Sequence, residues 1–178
     1  MTITLIRHAK VNYNYKQQYR HYEFDKACAE YDYSPIFDDK GDAQFNTANV
    51  VYVSSLKRTH DTARLILPDK EYIECKLFDE VPIKAFASLP FAVSTKLWFI
   101  IGRLQWFFGM RKQPESRQQT KNRAQQAADV LESEKEMVTL ICHGLFMRVL
   151  VSVLKKRGYL LKGKANYNNL GSVLLRKP

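Results

Sequence analysis

Three short segments hold the side chains best suited to chemistry. Arg7-His8 directly follows the apolar run Ile3-Thr4-Leu5-Ile6. Arg58 lies within Ser54-Ser55-Leu56-Lys57-Arg58-Thr59-His60-Asp61-Thr62-Ala63, and His143-Gly144 follows the run Met137–Cys142. Each segment reads as the end of a strand, and open α/β sheets bind ligands at that edge. If the three meet, two guanidiniums and two imidazoles surround one anion. Arginine's planar fork matches phosphate oxygens two at a time. A neutral histidine in that cluster can attack phosphorus through a ring nitrogen, and neighbouring arginines favour the neutral form. The chemistry expected is phosphoryl transfer. Singly the pieces are weak, because His-Gly after a strand is usually a turn and Arg58 alone would read as a surface cation. Their joint occurrence, in order and at strand ends, carries the inference.

The elements that must position these residues alternate along the chain. Thr2–Ile6 is rich in β-branched residues and reads as a first strand. A helix is expected near Gln17–Tyr31, with turns at Ser34-Pro35 and Asp38–Gly41. Val50–Val53 has the continuous apolar character of a buried parallel strand. Helical spacing runs from Arg58 to Leu67, where Pro68 stops it, and Glu71–Leu77 alternates as a third strand. Ser116-Arg117-Gln118-Gln119 is a capping box opening a helix to about Ser133. Met137–Cys142 is a fourth strand, followed by a helix from Gly144 to about Lys156, and Leu170–Leu175 suggests a last strand. The repeated order predicts an α/β fold, with a mostly parallel sheet covered by helices on both faces.

The 178 residues fit a single domain, 1–178, with 46% apolar content enough for a packed core. Twenty-eight basic and 18 acidic residues give a net charge of +10, which draws anionic substrates. The basic residues are scattered apart from Lys155-Lys156-Arg157, which reads as a helix end complementing the dipole rather than a binding patch. No nucleic-acid module signature is present, so no nucleic-acid partner is expected. The three cysteines form neither a disulfide framework nor a CxxC metal pair, which suggests reduced thiols and a cytoplasmic location. Charges at Arg7 and His8 interrupt any signal-peptide core, and no run is long enough for a transmembrane span.

Taken together, these residues resemble the histidine phosphatase superfamily, the phosphoglycerate mutase-like family. Leu5-Ile6-Arg7-His8 looks like its opening motif, Ser54-x-Leu56-x-Arg58-x-x-x-Thr62-Ala63 is similar to its second, and His143-Gly144 looks like its second catalytic histidine. Glu115-Ser116 and Arg123 resemble the segment that opens the helix before that histidine's strand. The resemblance implies a three-layer α/β/α sandwich and metal-independent catalysis without a cofactor. It also implies that His8 is phosphorylated, that Arg7 and Arg58 bind phosphate, and that His143 assists. Asn14 falls where many members place a phosphate-contacting asparagine, with Asn12 also near, although polar turn chemistry explains it equally. Ala9, Lys10 and Val11 depart from the family's glycine and threonine after the first histidine. Between Gly41 and Val50 there is little room for a helix many members carry.

Hydrolysis of a monoester must protonate the leaving oxygen, and a carboxylic acid is suited to that step. Leu77-Phe78-Asp79-Glu80 lies where the family places its glutamate, with Glu80 the better match and Asp79 the alternative. His60 is expected on the helix surface. The aromatic segment within about 86–113 is apolar around most of a helical wheel, which predicts a covered helix or lid. Homo-oligomer or membrane-surface contact through 91–110 is the alternative. Tyr13, Tyr15, Tyr19 and Tyr22 could line the same mouth or pack the first helix. The resulting expectation is a phosphatase acting on a small phosphorylated substrate. A phosphoglycerate mutase-type phosphotransferase, a phosphohistidine or phosphoprotein phosphatase, and a non-catalytic phosphate-binding scaffold remain as alternatives.

Overall fold

Alternation in Thr2–Arg7 sets the sheet's two faces. This first strand, β1, turns Ile3 and Leu5 to one side and Ile6 to the other, all fully buried. The computed structural model describes residues 1–40, 48, 50–135 and 137–178. After β1 come a two-residue β2 (Gln18–Tyr19), α1 (His21–Tyr33), β3 (Val50–Val53), α2 (Lys57–Ile66) and β4 (Ile73–Glu74). A 3-10 turn over Lys76–Phe78 precedes β5 (Val93–Ser94), α3 (Thr95–Phe108) and α4 (Arg117–Ser133). The chain closes with β6 (Val138–Cys142), α5 (Gly144–Lys156), β7 (Leu160–Lys162) and β8 (Ser172–Arg176).

Among the described residues the main sheet has six strands in the order β4-β3-β6-β1-β8-β7. The first four run parallel, and β8 pairs antiparallel with both β1 and β7. One face packs Leu5, Leu140 and Val173 against α4 and α5, whose Ala124, Ala127 and Ala128 allow close approach. The other packs Ile6, Val53 and Ile141 against Ala63 and Leu67 of the α2 region. This is the α/β architecture that the alternating pattern predicts.

Several boundaries differ from expectation. The strand expected over Glu71–Leu77 keeps two residues, because Phe78 turns inward to full burial against Tyr52, with ring centroids 5.5 Å apart. Helix α1 starts later, at His21, since Gln18 and Tyr19 pair with Val93 and Ser94. Strand β7 lacks a periodic signal, because all three residues are exposed on a sheet edge. Gly41 and the stretch up to Val50, apart from Ala48, lie outside the described residues. Arg157 ties the end of α5 to α4 through Asp129 and Glu132, while Lys155 and Lys156 are exposed.

The aromatic segment is covered on one face only. Trp98 and Trp106 of α3 are buried, but Ile100, Leu104 and Phe108 are exposed. Trp98 donates its indole N–H to the Tyr19 carbonyl at 2.9 Å, and Trp106 donates to Thr120 Oγ1 at 2.8 Å. No helix among the described residues is long and apolar enough to cross a membrane.

Candidate active site

Strand register brings the two histidines together. Arg7 lies opposite Cys142 in the β1–β6 ladder, so His8 and His143 leave neighbouring strands at one level. Their ring centroids stand 5.1 Å apart. Val53 lies opposite Ile141, which delivers Ser54 to the same edge.

His8 is 2% exposed, and its Nδ1 lies 2.7 Å from the Ala9 carbonyl. A carbonyl oxygen only accepts, so Nδ1 carries the ring proton and Nε2 keeps its lone pair. Burial first, then the charges of Arg58 and Arg7, lower the His8 pKa to about 3. The turn carrying His8 is held from several sides. Ala9 N–H donates to Thr62 Oγ1 at 2.9 Å, and Asn169 Nδ2 donates to the His8 carbonyl at 2.9 Å. Leu170, at a φ of 55°, donates its N–H to the Arg7 carbonyl.

Arg7 donates from Nη1 to the Tyr167 carbonyl at 2.8 Å. Its Nε is buried without a partner among the described residues. An unpaired buried donor costs about 1–3 kcal/mol, a cost that an anionic ligand's oxygen would remove. Arg58, at 2% exposure, extends from the first turn of α2 and stacks over the Tyr31 ring. Its Nη1 donates to Asp32 Oδ1 at 2.7 Å and its Nε to His143 Nδ1 at 3.1 Å.

That last bond fixes His143. With Nδ1 accepting, Nε2 carries the proton and donates to Ser54 Oγ at 2.7 Å. Burial chiefly, then Arg58, holds the His143 pKa well below the usual histidine value. Both ring nitrogens are thus engaged, and His143 is fully buried beside His8 and is not among the residues that line the cleft. The sequence expectation of an imidazole nitrogen offered directly to phosphate is not met in this arrangement.

The cleft has a volume of about 690 Å³, and Arg7, His8, Arg58, Asp79 and Glu80 line it. Glu80 reaches the N-terminus of α5, where Oε1 accepts from Val81 N at 2.9 Å and Phe146 N at 3.0 Å. Oε2 has a single long contact, 3.3 Å to Leu145 N. Asp79 is spent on Ser55, accepting from its N–H at 2.8 Å and from its hydroxyl on both oxygens. Arg123 braces this loop. It grips Glu115 through two nitrogens and donates to the Leu77 and Asp79 carbonyls at 2.9 and 2.7 Å.

Asn14 is exposed and absent from the cleft wall, because the 12–17 segment turns its polar side chains to solvent. His60 pairs with Glu74 at 3.2 Å, away from the cleft. Of the tyrosines singled out from sequence, Tyr15 lines the cleft, Tyr13 and Tyr19 pack beside it, and Tyr22 is exposed. Tyr31 and Asp32 also line the cleft, and sequence reasoning missed them, while Phe99 and Arg103 line it from the aromatic segment. Burial lowers the Arg103 pKa and pushes the Cys28 thiol up to about 12. Among the described residues no group of three His, Cys, Asp or Glu side chains is placed to hold a metal ion.

A family model described as the histidine phosphatase superfamily, branch 1, matches residues 42–175. No curated protein matches in sequence. Among solved structures, phosphoglycerate mutase from Bacillus anthracis is similar with a TM-score of 0.61 at 18% identity, covering 99% of this chain and 88% of that one. A mycobacterial glucosyl-3-phosphoglycerate phosphatase gives 0.57 at 15% identity, covering 98% and 89%. Phosphoserine phosphatase from Entamoeba histolytica, in complex with 3-phosphoglyceric acid, gives 0.54 at 17% identity, covering 97% and 89%. At these identities the likeness establishes the shared fold.

Proposed function

The chain belongs to the histidine phosphatase superfamily, branch 1, and from that premise we propose that it hydrolyses phosphate monoesters through a phosphohistidine formed on His8. The observation that supports this most is the state of His8. Its Nδ1 is committed to the Ala9 carbonyl, and its Nε2 lone pair is left in a cleft flanked by Arg7 and Arg58.

In the first half-reaction Nε2 attacks phosphorus in line, the phosphorus–ester oxygen bond breaks, and Glu80 transfers a proton to the departing oxygen. Arg7 and Arg58 hold the remaining oxygens as charge develops on them. In the second half-reaction water gives its proton back to Glu80 and displaces the imidazole, releasing inorganic phosphate. Glu80 is favoured over Asp79 because Oε2 is the least engaged carboxylate oxygen in the loop, whereas Ser55 occupies both Asp79 oxygens. His143 acts as a positioning residue, accepting the Arg58 Nε–H and so fixing the guanidinium.

Alkaline quenching during turnover of p-nitrophenyl phosphate tests the reading. Peptide mass spectrometry should place a base-stable, acid-labile phosphoryl group on His8. His8→Ala should lose both that label and phosphate release. A label on another residue, or full turnover by His8→Ala, would overturn it. Supplying a phosphorylated sugar acid and analysing the products separates hydrolysis from isomerisation.

A further inference from the structure

Helix α3 carries two apolar faces, and the fold uses one. At 100° per residue, Thr95, Trp98, Gly102 and Trp106 share the side turned to the protein, all buried. A Cβ on Gly102 would stand 3.0 Å from the Ile83 side chain, so this contact is already tight. On the opposite side Leu97, Ile100, Leu104, Phe107 and Phe108 form a continuous stripe, exposed at 43%, 58%, 50%, 47% and 69%. A large exposed apolar stripe marks a contact surface.

Charge decides what fits it. Residues 86–123 hold seven Lys or Arg and one acid, Glu115. That acid is paired with Arg123. Lys96, Arg111, Lys112 and Arg117 are exposed around the stripe, and Arg117 lies 4.4 Å over the Phe107 ring. A second copy presenting the same face would set cations against cations. An anionic bilayer reverses that sign while receiving the apolar side chains.

We propose that α3 docks the protein on an anionic phospholipid surface, with the Leu97–Phe108 stripe entering the headgroup–acyl boundary and the flanking cations on lipid phosphates. Phe99 and Arg103 lie between the stripe and the buried side. They line both the cleft and the groove beside Leu104 and Phe107. Docking therefore sets the mouth of the cleft beside the lipid surface.

Co-sedimentation with phosphatidylcholine vesicles, with and without phosphatidylserine, tests this. The protein should bind the mixed vesicles at least about tenfold more tightly than the neutral ones, and high salt should weaken the difference. A Leu104→Ser/Phe108→Ser double variant, altered at exposed positions outside the cleft, should lose at least about tenfold in binding. Its thermal midpoint should be unchanged. Arg111→Glu/Lys112→Glu should abolish the preference for phosphatidylserine with the stripe intact. Absence of binding to the mixed vesicles, or equal binding by the double variant, overturns the proposal. So does a concentration-dependent dimer seen by light scattering that the double variant abolishes, without vesicle binding by the parent.

Discussion

Gly144 lies against Arg7 so closely that a Cβ on the glycine would stand 3.1 Å from both Cζ and Nε of the guanidinium. Gly144 opens α5, and Arg7 Nη1 is held by the Tyr167 carbonyl on another side. Arg7 is therefore confined between a helix start and a loop, and the glycine's missing side chain is part of its seat.

Gly144→Ala should separate binding from stability. Alanine favours the helix, so the unfolding midpoint should hold or rise slightly. The guanidinium must shift by a few tenths of an ångström, which strains its bond to Tyr167. Competitive inhibition by inorganic phosphate should weaken by about tenfold, equivalent to about 1.4 kcal/mol. Unchanged inhibition would show that Arg7 does not hold the anion.

Acid should destabilise the fold through its buried histidines. His8 has its pKa lowered from 6.5 to about 3, so below pH 6.5 the unfolded chain binds a proton there that the folded chain refuses. Protons then favour unfolding. The His8 contribution is complete above pH 6.5 and falls by about 1.4 kcal/mol per pH unit until about pH 3. His143 adds in the same sense. Urea unfolding between pH 7 and pH 4 checks this (about the range where the effect is largest), and His8→Asn should show a shallower slope than the parent. The same lowering leaves Nε2 unprotonated across that range, so an acid limb in kcat/KM above about pH 4 must come from another group.

What could be read in advance follows from where each signal lies. Helix α4 was legible because both bonds of the Ser116–Gln119 capping box form. Helix α5 was legible because apolar spacing runs unbroken from a strand-end glycine to a basic terminus. Arg7, His8 and His143 stand at the ends of two apolar runs, and parallel register carries those ends to one edge, whereas Arg58 comes from the first turn of α2. Asp32 and Tyr31 were not, because on sequence they look like any polar turn of a surface helix. Their relation to Arg58 exists only once α1 packs beside α2. The placement of Asn14 off the cleft wall was not legible for the converse reason, since nothing but loop conformation decides where a polar loop residue points.

Arg123 should matter through the loop that it braces. Arg123→Lys keeps the charge but cannot hold two carboxylate oxygens and two carbonyls together. Leaving the largely buried Glu115 partly unpaired should cost about 1–3 kcal/mol in urea unfolding. Slackening of the 77–80 loop should lower kcat by about tenfold with little change in KM. A rise in KM with kcat intact would instead mean that Arg123 binds substrate directly.

Glu80→Gln examines the proton donor with little structural cost. The amide oxygen can still accept from Val81 N and Phe146 N, and only the 3.3 Å contact to Leu145 N is lost. Alkyl phosphates, whose leaving oxygen needs a proton, should slow by about 10²–10⁴-fold. p-Nitrophenyl phosphate should slow far less, because its leaving group departs as an anion. Asp79→Asn should behave differently, since Asp79 holds Ser55 beside the Ser54–His143 bond. Its loss should slow both substrate types alike and lower stability. If leaving-group dependence instead follows Asp79→Asn and is absent in Glu80→Gln, the acid is Asp79, and Glu80 serves only to cap α5.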